Sequence, residues 1–128
     1  MYKLVMQLSA MYSNELIKGT LRTIVLSLLA GNDRMYGYEI TRHVKEQTDD
    51  RIQLTEGALY PTLHKLEAEG LLTTEVEMIG KRQRKYYRLT TTGKAEAIER
   101  VNEFNAFAAT MQRLLGLVPP QSPSPCIA

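Results

Sequence analysis

The chain has 128 residues, 44% of them apolar, and 16 Lys and Arg stand against 14 Asp and Glu for a formal charge of +2. That length supports one domain burying roughly two-thirds of its unfolded surface, and a single cysteine, Cys126, excludes a disulfide scaffold and predicts a reducing, cytoplasmic location. No apolar run approaches the ~20 residues of a membrane-spanning helix, Met1–Met6 lacks a secretory signal pattern, and Cys126 stands one place too late for a prenylation box, so no membrane partner is expected.

Residues 1–13 read as an N-terminal extension. Residues 14–30 then place Leu16, Ile17, Leu21, Ile24, Val25, Leu28 and Leu29 at spacings of three and four, which predicts a core-facing helix stopped by Gly31-Asn32-Asp33. Tyr36-Gly37-Tyr38 opens a second helix with Ile40 and Val44 on its buried side, ending near Asp49-Asp50. Thr55, a good N-cap residue, starts a third helix that runs to Gly70. Its apolar stripe is Leu59, Leu63 and Leu66; Gly57, Pro61, His64 and Ala68 point the opposite way, with Tyr60 and Lys65 on the shoulders. Pro61 removes one backbone hydrogen bond and predicts a bend or a tightened first turn.

After Gly70 the period shortens towards two. Leu71–Ile79, then Gly80-Lys81-Arg82-Gln83, then Arg84–Thr90 read as a β-hairpin with a basic tip. Lys81, Arg82, Arg84, Lys85 and Arg88 fall within nine residues that hold no acid, and the rest of the chain is left with 11 basic against 14 acidic residues. The positive field is therefore local, which suits contact with a polyanion at one place. Tyr86 and Tyr87 face opposite sides of their strand, and alternation alone does not say which is core. Thr91 or Thr92 caps a last helix through Gly116, on which Ala97, Val101, Phe104, Ala108, Met111 and Leu115 recur at spacings of four and three, an a/d seam suited to a second copy of the chain. The tail, 119–128, holds four of the five prolines and is expected to be disordered.

Three helices followed by a basic hairpin is the element order of a winged helix-turn-helix domain. The expected fold is mainly α with a small β-hairpin (α+β), a DNA-binding unit over 14–90 and a dimerisation helix over 91–118. At this point the chain also resembles the PadR family of bacterial transcription regulators, in the stretches Asn14–Leu21, Tyr36-Gly37-Tyr38-Glu39-Ile40, Glu56–Leu72 and Arg84–Gly93, and over about residues 14–115 in all. The resemblance implies a homodimeric repressor that dimerises through its C-terminal helix and is often released from DNA by a small aromatic or cationic effector. This chain has no Trp, so the paired-tryptophan drug site of some relatives is not expected.

On this reading the third helix enters the major groove of a near-palindromic double-stranded operator with Thr55, Gly57, Tyr60, Pro61, His64 and Lys65, Thr55 serving also as the cap. Lys81, Arg82, Arg84 and Lys85 on the wing meet phosphates or the minor groove. The seam Ala97, Val101, Phe104, Ala108, Met111 and Leu115 forms the dimer interface, and Met11, Phe104, Phe107 and Met111 are candidates for an effector pocket. His43, His64 and Cys126 have no metal-ligand spacing, no nucleophile has a base and an orienter at motif spacing, and neither metal, cofactor nor catalysis is expected. Two other readings stay open: a winged-helix module that binds protein or RNA without operator specificity, and a small-molecule-binding protein with no DNA function. An operator preference of ~10³ over random duplex separates the first reading from both.

Overall fold

The computed structural model describes residues 12–117; Met11, the rest of residues 1–11, the proline-rich segment and Cys126 lie outside the described residues. The element order is α1 (Asn14–Gly31), β1 (Met35–Tyr36), α2 (Gly37–Gln47), α3 (Glu56–Ala68), β2 (Leu72–Ile79), β3 (Arg82–Leu89) and α4 (Thr91–Leu114). None of these helices is long and apolar enough to cross a membrane.

The helix ends follow from local chemistry. Ser13 Oγ accepts from the Leu16 N–H, Thr55 Oγ1 from Ala58 and Thr90 Oγ1 from Gly93, so three helices begin on a hydroxyl that satisfies an otherwise orphaned amide. Glu39 does this for α2, accepting from the Tyr36 N–H. The cap of α4 is thus Thr90 rather than Thr91 or Thr92. Its hydroxyl also donates to the Gly70 carbonyl. α3 closes in a Schellman turn: Gly70 adopts φ +80, its N–H reaches the Glu67 carbonyl, and the Leu71 N–H reaches that of Leu66. At the other end the Thr55 carbonyl accepts from both Ala58 and Leu59, a tightened first turn just ahead of Pro61.

The sheet has three antiparallel strands in the order β1-β3-β2, one more than the hairpin expected from the sequence. Tyr36 does not open the second helix; it ends β1, pairing with Tyr86 while Met35 pairs with Tyr87, and α2 starts one residue later. The hairpin is also tighter than expected. Arg82 pairs with Ile79 and Gln83 with Met78, leaving only Gly80-Lys81 as the turn, with Gly80 at φ +63.

The core lies where α1, α2, α3 and the inner face of the sheet meet. Leu21, Val25, Leu26 and Leu29 of α1 close against Ile40 and Val44 of α2, Leu59, Leu63 and Leu66 of α3, and Leu72, Tyr87 and Leu89 of the sheet. Tyr87 is therefore the core tyrosine, only 1% exposed, and burial pushes its phenol pKa up. The start of α4 joins the same core through Gly93 and Ala97, so the chain's own packing takes up the first position of the expected seam.

Candidate nucleic-acid interface

Burying Leu59, Leu63 and Leu66 turns the rest of α3 outward. Gly57, Pro61, His64, Lys65 and Ala68 are exposed, and a side chain added at Gly57 would meet nothing within 4 Å. The outward face is thus small at its start and basic further along. Tyr60 is half-buried, with its ring laid over Gly37 at the start of α2, where a Cβ would overlap its hydroxyl end. Thr55 is engaged as the cap.

The wing divides its cations between two faces. Arg82, Arg84, Tyr86 and Arg88 alternate onto the outer face, and Gln83, Lys85, Tyr87 and Leu89 onto the inner one. Acids cross-strand on the outer face take up part of the charge. Arg34 Nη1 lies 2.7 Å from Glu75 and Nη2 2.5 Å from Glu77, while Arg88 binds Asp33 and Glu75. These partners, Arg34 first and Arg88 second, hold the Glu75 carboxyl below its ordinary pKa. Arg84 instead lies over the Tyr36 ring at 4.1 Å, and Arg34 over that of Tyr86 at 3.9 Å, with the two rings edge-on. On the inner face Lys85 Nζ stands 3.9 Å from Glu67 of α3, which also accepts from the Thr74 hydroxyl. Among the described residues, Lys81, Arg82 and Arg84 are the wing cations without an acid at ion-pair distance.

Helix and wing face each other across an open groove of about 790 Å³. Tyr60 and His64 line it from α3 and Arg82, Gln83, Arg84 and Lys85 from β3, while Tyr36, Gly37 and Tyr38 form its floor. Thr55, Gly57, Pro61, Lys65 and Lys81 lie outside this lining, Thr55 at the cap of α3, the next three along the helix and Lys81 at the wing tip. Sequence reasoning missed the contribution of Tyr36-Gly37-Tyr38, which it treated as a helix start; the available signal was an aromatic pair around a glycine, the pattern of a close approach. Chemically the groove can hold a polyanion backbone between cations and phenol donors. Among the described residues no cluster of three His, Cys, Asp or Glu could hold a metal ion.

The second surface lies along α1 and α4. Val101, Ala108 and Met111 are half-buried against their own chain, whereas Phe104 and Leu115 are exposed, as are Leu16, Ile98 and Phe107, the last at 59%. Phe104 and Phe107 line a groove of about 640 Å³ with Leu16, Gly19 and Arg100; Met111 is not part of that lining, and Met11 lies outside the described residues.

The model of the transcriptional regulator PadR-like family matches residues 25–99. An uncharacterized protein of Lysinibacillus sphaericus is 37% identical over 97 residues, covering 73% of this chain and 86% of that protein. The structure of a transcriptional regulator from Clostridium thermocellum is similar with a TM-score of 0.72 at 28% identity, over 80% of this chain and 96% of that one. The crystal structure of Bacillus subtilis PadR in complex with operator DNA is similar with a TM-score of 0.59 at 32% identity, over 64% of this chain and 46% of that longer one. From the N-terminal helix to the start of α4, the chain belongs to the transcriptional regulator PadR-like family.

Proposed function

We propose that this protein is a sequence-specific DNA-binding transcription regulator, a cytoplasmic homodimeric repressor of a near-palindromic operator. The observation that carries the reading is the groove in which Tyr60 and His64 of α3 face Arg82, Arg84 and Lys85 of the wing. A DNA backbone seated there leaves the exposed face of α3, with Gly57, Pro61, His64 and Lys65, in the major groove, and Lys81 and Arg82 over the neighbouring phosphates. The likeness to B. subtilis PadR, crystallised in complex with operator DNA, supports the DNA-binding reading.

Two copies are needed to read a palindrome, and the exposed apolar surface of α4, with Phe104, Phe107 and Leu115, is the surface assigned to pairing, together with Val101, Ala108 and Met111. The α1–α4 groove beside Phe104 and Phe107 is the assigned seat of a small aromatic effector, which acts only if it favours a dimer whose helices are wrongly spaced for DNA.

The test separates positioning from reading. Arg82→Ala and Lys85→Ala should weaken operator and random duplex alike and shallow the dependence of affinity on salt, by about 0.9 in log–log slope per lost phosphate contact. His64→Ala and Lys65→Ala should chiefly erode the preference for operator. Fluorescence anisotropy across a salt series reads both. Wing variants that change sequence preference while helix variants leave it intact would reverse the assigned roles.

A further inference from the structure

The end of α3 is tied to α1 by a directional side-chain contact. α3 rests on α1 largely through Leu59, Leu63 and Leu66, and apolar packing of this kind is non-directional, so it tolerates a small slide or roll of one helix on another. The exception is at the C-terminal end of α3. Arg22 of α1 donates from Nη1 and Nη2 to the two carboxylate oxygens of Glu69, at 3.1 and 2.7 Å. Such a two-pronged pair fixes angle as well as distance, because the guanidinium is a planar fork.

Both partners are held in place. Glu69 is the C-cap residue of α3, locked from behind by the Schellman turn at Gly70 and by the Thr90 hydroxyl on the Gly70 carbonyl. The Arg22 stem is seated in the fold, its Nε buried with no acceptor among the described residues. α4 contributes the next charges: Arg100 Nε lies 3.4 Å from Glu96, Glu96 acts on Arg22 and Arg100 on Glu69, each favouring the ionised form. Arg100 also lines the α1–α4 groove. Charges from three helices therefore converge where the dimer layer meets the end of the proposed recognition helix.

The pair is a poor device for stability. Its side chains are 27% and 39% exposed, and partly solvated pairs of this kind contribute little to the folding free energy. Its value is geometric. We propose that Arg22 and Glu69 are positioning residues that fix the seat of α3 on the α1–α4 layer, and thereby the separation of the two α3 helices in the dimer. The proposal rests on the DNA-binding reading above and says which contact sets operator spacing. A base pair advances the duplex by about 3.4 Å, so a small shift of each α3 moves the preferred half-site spacing or blurs it.

The experiment uses the full chain with Arg22→Lys, Glu69→Gln and the double variant. Arg22→Lys keeps the charge and loses the fork; Glu69→Gln keeps the shape and loses the charge. Each is titrated against duplexes that carry two selected half-sites separated by spacers varied one base pair at a time, beside a random duplex, with the melting temperature measured in parallel. The wild type should prefer one spacing by about tenfold or more. Each single variant should flatten that profile to within about threefold, with random-duplex affinity unchanged and a melting temperature within about 4 °C of wild type. The double variant should lose no more than either single one, the sign that both act through one contact. Unaltered spacing profiles, additive losses, or losses that follow the melting temperature overturn the proposal. A wild type that binds all duplexes equally overturns the DNA-binding reading itself, and the wild-type profile shows this before any variant is compared.

Discussion

At Gly93 the chain has no room for a side chain: a Cβ would overlap the carbonyl oxygen of Leu71, which already accepts from the Thr90 N–H at 3.0 Å. In an open helix position Gly→Ala is favourable by roughly 0.5–1 kcal/mol, but here the backbone itself must move. Gly93→Ala should therefore cost about 2–3 kcal/mol in urea denaturation, and an unchanged midpoint would contradict the close approach. Gly57 is the opposite case, with open space around it on the outward face of α3. Gly57→Ala should leave stability equal or slightly raised while weakening operator binding, a split that a purely structural glycine would not give. Charge adds a pH signature. Glu75, beside Arg34 and Arg88, and Glu69, beside Arg22, have folded-state pKa values below their ordinary 4.5. A lowered folded pKa contributes stability above the unfolded value that is lost as pH falls through the folded one. The stability difference between wild type and Glu75→Gln should thus be present at pH 7 and shrink on acidification below about 4.5, as read by denaturation at stepped pH; a difference independent of pH would contradict the ion pairs.

Among the elements, the three longest helices were legible because each repeats its apolar residues at helical spacing and is bounded by good cap residues, as with Thr55 and Gly70 around α3. β1 was not. Two residues cannot establish a period of two, and Met35-Tyr36 becomes a strand only because β3, some fifty residues later, offers Tyr86 and Tyr87 as partners. The same distant pairing decides that Tyr87 goes inside and Tyr86 outside. Three successive threonines look alike locally, and it is the Gly70 carbonyl that selects Thr90 as the cap. On α4 the spacing revealed a continuous seam but not its division, since Ala97, 2% exposed, packs within its own chain while Phe104 and Leu115 remain outside. The candidate interface was readable as residue types on α3 and the wing; which side of the wing each cation takes was not, because it depends on the tight turn at Gly80-Lys81. Phe104→Asp places a charge on the surface assigned to pairing, where burial without a partner costs several kcal/mol. Sedimentation at micromolar concentration should show a dimer for the wild type and a monomer for the variant, and a wild-type monomer would remove the seam from the account.

For the whole molecule, a net charge of +2 conceals a division of labour. Among the described residues, Lys81, Arg82 and Arg84 stand without an acid partner at the wing beside α3, and Leu16, Ile98, Phe104 and Phe107 are exposed along α1 and α4 on a separate surface. A protein that reads DNA as a two-fold dimer needs both, and a reading on one face alone would leave the other unexplained. Half-sites in successive major grooves lie about 34 Å apart, so a two-fold dimer selects the spacing of its site as well as its sequence. The most direct measurement is selection of random duplexes on the purified full chain. The account predicts enrichment of an inverted repeat whose half-sites are centred about 10–10.5 base pairs apart, bound ~10³-fold or more tightly than random duplex. Recovery of no common motif, with all duplexes bound alike, would contradict it.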